Sequence, residues 1–253
     1  MTMASSRRAT FLGAPLDLLD MTQTVEAIED HLARCVAGAH LGVNAANLVL
    51  AHDDHAYRAL LHDADLVTAD GQSVVWGARA FGHSVPERVT GIDLMVSLLA
   101  ASRSHGWSVY LLGAQRETVA RLAAQLRITG VQVAGFRDGF FPAGDARAVA
   151  ADVTGSGADL LFVGMPSPRK ERFIVEVARP AGVAFSVGVG GSFDVLAGDL
   201  RRAPPLAQRL GMEWAFRLLQ EPRRLVGRYA ISNTRFIGLM VQEAARRKLP
   251  GRR

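Results

Sequence analysis

Apolar positions along this chain recur with two alternating periods. Spacings of three and four, as at Val25, Ile28, Leu32 and Val36, predict a helix over 22–36 with Thr22 as its cap. Short apolar runs predict strands over 10–13, 40–44, 65–68, 107–112, 131–134, 159–163 and 183–187. Helical spacing fills the intervals, over 46–62, 72–81 with Val74, Val75 and Ala78 inward, 93–104, 117–127, 146–154 and 169–178. Strands alternating with helices of this length imply an α/β domain, a mostly parallel sheet with helices on both faces. Right-handed crossovers then bring the C-terminal end of every strand to one edge.

That edge is where the pattern points to chemistry. Asn44, Asp70, Gly113, Gly135, Gly164 and the pair Gly190-Gly191 all fall where a strand hands over to a helix. Glycine there lets backbone amides approach a ligand, and helix N-termini favour anions. Tight turns alone would also place glycine there, but a row on one edge fits a nucleotide-sized cleft. No G-x-x-x-x-G-K-[ST] motif is present, which disfavours a phosphate-loop kinase. The nearest dinucleotide fingerprint, 188–193, has Phe193 in place of the third glycine, which disfavours a nicotinamide enzyme. The stretch 64–95 holds the most chemistry: a strand, the turn Ala69-Asp70-Gly71, a helix, and the polar loop from Pro86 to Asp93. Asp70 suits two roles, a general base beside a ligand or the cap of the helix that follows.

Charge divides the chain unevenly. Residues 201–253 carry 13 Lys/Arg against 3 Asp/Glu, while the 200 before them carry 16 against 21. The division predicts an α/β body over 1–200 and a basic helical appendage over 201–253, with Pro222 separating two of its helices. Its arginines alternate with Trp214, Phe216, Tyr229 and Phe236. That mix fits an interfacial helix among lipid headgroups, a helix packed on the body, or a nucleic-acid surface. No apolar run approaches membrane-spanning length, and no signal-peptide run precedes Asp17. Cys35 stands alone, so no disulfide forms within the chain; it reads as a core residue in a reducing compartment. Asp63-Ala64-Asp65 and the His52/His55 pair are weak metal candidates, the latter a solvated helix face in its plainer reading.

Together the motifs resemble the WecG/TagA/CpsF glycosyltransferases. The matching pieces are Asn44-Ala45, the run from Ala64 to Gly71, the run from Pro86 to Leu94, and Leu112-Gly113-Ala114. Gly164-Met165-Pro166 with Pro168-Arg169-Lys170-Glu171, the run from Gly188 to Asp194, and Arg202-Ala203-Pro204 follow. The series closes with the run from Leu210 to Trp214, Arg217-Leu218 and Glu221-Pro222. The resemblance implies a Rossmann-like, inverting transferase that needs no metal or other cofactor and does not act on nucleic acid. It would move a sugar (N-acetylmannosamine, its uronate, or a glucose-type sugar) from a UDP-sugar to a polyprenyl-diphosphate-linked saccharide. The place would be the inner face of the bacterial plasma membrane, the product a cell-surface polysaccharide; a homo-oligomer is left open.

The family's base falls on Asp70, its strand-end Asn on Asn44, and its loop Arg on Arg88; its C-terminal arginines fall near Arg217, Arg224 and Arg228. Substrate contacts are expected from Gly113, Ala114, Gly164, Pro166, Lys170, Glu171, Gly190, Gly191 and Asp194, with Asp194 on the ribose. Gly42 stands where a Thr is common and Lys170 where an amide is common, and both bear on the donor sugar. The readings from other classes are a nucleotide-binding module whose tail binds nucleic acid, and a sugar-nucleotide oxidoreductase.

Overall fold

The computed structural model describes residues 8–209 and 211–248; the side chains at 209, 224, 225, 228 and 248 fall outside that description. The chain opens with an antiparallel hairpin, β1 (Arg8–Phe11) and β2 (Ala14–Asp17). Its turn residues Leu12 and Gly13 both have positive φ, 50° and 80°, the geometry that suits two-residue hairpins. The sequence pattern gives only one strand here. The second is anchored by Asp17, whose buried carboxylate accepts from Val67 N at 2.7 Å and pairs with Arg8 at 2.8 Å.

The main sheet has six parallel strands: β3 (Gly38–Val43), β4 (Leu66–Ala69), β5 (Ser108–Gly113), β6 (Gln132–Arg137), β7 (Leu160–Gly164) and β8 (Phe185–Gly188). Their order across the sheet is β4-β3-β8-β7-β5-β6. Leu41, Val43, Val67, Leu161 and Val163 face one apolar cluster, while Leu66, Leu111, Phe162, Phe185 and Val187 face the other. Burial on both faces explains why the strands read as continuous apolar runs without alternation. Helices α2 (Ala45–Asp53), α3 (His55–Asp63) and α7 (Ala146–Gly155) cover the first face. Helices α1 (Met21–Ala33), α5 (Gly91–His105), α6 (Arg116–Ile128) and α9 (Ser192–Leu196) cover the second.

Several expected boundaries shift for identifiable reasons. Asp20, not Thr22, caps α1, sharing a capping box with Gln23. The helix expected over 46–62 is two helices, because Asp54 leaves helical geometry and its Oδ1 accepts from Ala56 N and Tyr57 N at 2.9 and 3.1 Å. Strand β6 continues past Gly135, so that glycine is not at a strand end. A side chain there would meet the Tyr110 ring at 2.4 Å. Cys35 is exposed, not in the core: it ends α1 with φ of 54°, which turns its side chain outward. Helix α8 (Arg169–Arg172) runs on as a π-helical turn, Phe173–Ala178.

After α9 come α10 (Pro205–Arg209), α11 (Glu213–Gln220) and α12 (Pro222–Lys248), and Pro222 opens α12 as its sequence suggested. Helix α12 lies on the body. Phe236 is buried in the first core cluster, and Met240 reaches the space left by Gly77 of α4 (Gln72–Ala80). Arg235 pairs with Asp53 of α2 at 2.6 Å. Among the described residues no helix is long and apolar enough to cross a membrane.

Candidate active site

Strands β3 and β4 are neighbours, so their C-terminal ends present Asn44 and Asp70 side by side. Gly42 and Gly71 allow this closeness. A Cβ on Gly42 would sit 3.1 Å from that of Asp70, and one on Gly71 would sit 3.0 Å from that of Asn44. Asn44 caps α2, its Oδ1 accepting from Ala46 N and Asn47 N at 3.0 and 3.3 Å. Its amide NH₂ is therefore the group it can offer a ligand. Asp70 does not cap the helix that follows it; Gly71 holds that position with no side-chain bond. Its Oδ1 instead accepts from Gly91 N, the first residue of α5, at 3.1 Å.

The loop from Glu87 to Asp93 is built around that contact. Glu87 accepts from Met21 N at 2.7 Å, Val89 is buried and donates its N–H to Ala69 O at 2.8 Å, and Thr90 caps α5. Gly91 has no room for a side chain, since a Cβ there would lie 3.2 Å from Val189 Cα. Arg88 lines a cavity of about 620 Å³, where it pairs with Glu213 at 3.2 Å.

That cavity lies over the ends of β4, β3 and β8. Its polar end is lined by Asn44, Asp70, Arg88, Thr90, Ser192, Glu213 and Arg217. Between α4 and α12 the lining is mostly apolar, with Trp76, Ala80, Phe236, Ile237 and Met240 beside Ser73, Ser232 and Asn233. Trp214 of α11 and Tyr229 of α12 meet edge to face at 6.0 Å between ring centres, and both line the cavity. Arg217 is anchored by its Nη2, which donates to Gly191 O at 3.0 Å.

The expected site residues thus divide. Asn44, Asp70, Arg88 and Arg217 line one cavity. Gly190, Gly191 and Asp194 are not among its lining residues, but Gly191 holds the lining Arg217 through its carbonyl, and a Cβ on Gly191 would meet Arg217 Nη2 at 2.9 Å and Asp194 Oδ2 at 3.6 Å. Gly190 adopts a φ of 54° with open space before it. Gly113, Ala114, Gly164, Pro166, Lys170 and Glu171 do not line it either. Gly113, at φ 143°, packs on the backbone of Gly164, where a Cβ would meet the carbonyl oxygen at 2.4 Å, and Gly164 packs on Phe193. Packing on the neighbouring strand accounts for Gly113 and packing on α9 accounts for Gly164. Arg224 and Arg228 have side chains outside the described set.

Lys170 and Glu171 are buried, 7% and 1% exposed, and pair at 3.3 Å. Burial pushes the Glu171 carboxyl up, but the Lys170 charge and the Ser167 hydroxyl outweigh it, and the net direction is down. Ser167 donates to Glu171 at 2.7 Å, and Asn47 Nδ2 donates to Tyr57 and to Ser167 at 2.8 and 3.1 Å. Asn47 Oδ1 accepts from Asn44 N at 3.1 Å, so this network supports Asn44 from beneath. Of the weak metal candidates, Asp65 is committed to Arg179 at 3.1 Å and to Ala39 N at 3.0 Å.

Sequence reasoning did not single out Trp76, Thr90 or Ser192 as lining residues. An exposed Trp on an otherwise packed helix was the available signal for the first. The sequence model of the WecG/TagA/CpsF glycosyl transferase family matches residues 9–250, nearly the whole chain. The chain belongs to the WecG/TagA/CpsF family, glycosyltransferases of cell-surface polysaccharide synthesis.

Proposed function

We propose that this chain transfers a sugar, with inversion, from a UDP-sugar to a polyprenyl-diphosphate-linked saccharide at the surface of the bacterial inner membrane. The observation that carries the reading is the two-ended cavity: a carboxylate at a glycine turn and two arginines at one end, a mostly apolar cleft at the other. A phosphorylated sugar suits the first end and a lipid-linked acceptor suits the second. Inverting transfer is a single displacement. The acceptor hydroxyl gives its proton to Asp70 while its oxygen bonds to the anomeric carbon. The bond from that carbon to the β-phosphate oxygen breaks, and its electron pair leaves with UDP. Asp70 Oδ1 is steadied by Gly91, so the other oxygen is the one that takes the proton. Arg88 and Arg217, with the amides at the ends of β3 and β8, meet the charge that grows on the diphosphate.

The outer surface of the C-terminal helices supports the membrane part of the reading. Leu206, Leu219, Val226, Ile231 and Val241 are exposed there among Arg201, Arg223 and Arg246. Apolar side chains between cations suit an anionic lipid surface.

The test is an incubation of the full-length chain with a panel of UDP-sugars and a short-chain lipid diphosphate sugar, read by mass. One donor should yield a product heavier by one sugar, with release of UDP. No product from any donor, together with a salt-sensitive gel shift on nucleic acid, would put the binding-module reading in its place.

A further inference from the structure

The carboxylate of Glu213 stands between two guanidinium groups that come from different parts of the chain. Arg88, from the loop before α5, brings Nη1 to within 3.2 Å of Oε2. Arg202, from the start of the C-terminal segment, brings Nε to within 3.7 Å of Oε1. Arg202 is itself tied to Asp93 at 2.5 Å, and Asp93 accepts from the Thr90 hydroxyl. The chain of contacts runs from the cap of α5 to the first residue of α11, and Arg88, Thr90 and Glu213 all line the cavity.

An acidic residue in a helix's first turn is favoured by the helix dipole, which explains an acid at this position. It does not explain two arginine partners. The second contact of Arg88 comes from the same segment: its Nη2 donates to Gln208 O at 3.4 Å. Both groups that hold Arg88 are therefore supplied by residues 208–213. Arginine has a long, rotamer-rich side chain, and a cation that meets a developing charge works best when it is already in place. Yet the carboxylate that holds it also cancels part of its pull on a bound diphosphate.

We propose that Glu213 is a positioning residue for Arg88: the C-terminal segment sets the direction of the site's cation at some expense in ground-state attraction. The proposal rests on the transfer reading above. It predicts an unusual split in the full-length Glu213→Gln variant. UDP should bind several-fold more tightly, since one negative charge beside the diphosphate is gone. Turnover of the donor found in the screen should fall by about tenfold or more, since Arg88 is no longer aimed. Glu213→Asp should recover part of the turnover. The double variant Arg88→Gln/Glu213→Gln should be no slower than Arg88→Gln alone, because Glu213 acts through Arg88.

Calorimetry with UDP, steady-state rates and thermal melting read these outcomes. Unchanged turnover in Glu213→Gln, or additive losses in the double variant, would overturn the positioning role while leaving the transfer reading intact. A parallel loss of UDP binding, turnover and melting temperature would reduce Glu213 to a structural residue and overturn it equally. Wild-type chain that neither binds UDP nor releases it from any UDP-sugar would remove the transfer reading, and the positioning role with it.

Discussion

Gly91 donates its N–H to Asp70 and presses its Cα side on Val189, so a single residue aims the base and joins two strand ends. The sequence shows the Thr90-Gly91 pair but not that partnership, because Asp70 and Gly91 meet only once β4 and α5 are folded. Lys170 and Glu171 show the reverse limit. As charged residues after a strand end they read as substrate contacts, whereas folding buries them as a pair under α2 and α3. Burial also decides the behaviour of His40. Its ring accepts or donates at Thr68 Oγ1, 2.9 Å away, and burial followed by the nearby Lys170 charge lowers its pKa from 6.5 to about 3. Between those values the unfolded chain takes up a proton that the folded chain refuses, so stability should fall as pH drops below 6.5. The slope due to this residue approaches about 1.4 kcal/mol per pH unit. Glu171 is held below 4.5, so its stabilising contribution is lost beneath the pH 6.5 to 4.5 window in which His40 acts. Denaturant unfolding of wild type and His40→Gln across that window should show a flatter pH dependence in the variant. Equal slopes would mean that His40 does not carry this linkage.

At the scale of elements, the alternation of strands and helices was legible because β3, β4, β5, β7 and β8 are buried on both faces, whereas the edge strand β6 is not. What escaped were features set by partners distant in sequence. The hairpin strand β2 depends on Asp17 reaching the backbone of β4. Gly113 and Gly164 read as ligand-facing turns, yet Gly113 is hemmed in by the neighbouring strand at Gly164 and Gly164 by the Phe193 ring of α9. The C-terminal helices were legible as amphiphilic, and the structure bears out the packed alternative for α12, while α11 and α12 also leave apolar side chains exposed. Phe236 and Met240 face the body, while Leu219 and Val226 face outward. The account expects the chain to sediment with vesicles of anionic phospholipid, less so at high salt. The double variant Leu219→Glu/Val226→Glu should lose that sedimentation without a change in melting temperature, since both side chains are exposed. Retained sedimentation would place the lipid-facing surface elsewhere.

Across the whole molecule, an acidic body and a basic C-terminal segment close on each other at one cavity. The body supplies Asp70 and Asn44 from adjoining strand ends and Arg88 from the loop before α5, and the segment supplies Arg217, Glu213 and part of the apolar wall. Asn44 and Arg217, 173 residues apart, are joined at the sequence level only by family resemblance; in the fold, β3 and β8 are neighbours and Arg217 is tied to Gly191, just after β8. In the proposed transfer, the carboxylate at the end of β4 takes the acceptor's proton. The most direct measurement compares Asp70→Asn with wild type in the UDP-sugar transfer assay, with UDP affinity measured on the same samples. The account predicts UDP affinity close to wild type and turnover lower by at least about 10²-fold. Turnover near wild type in Asp70→Asn would contradict it.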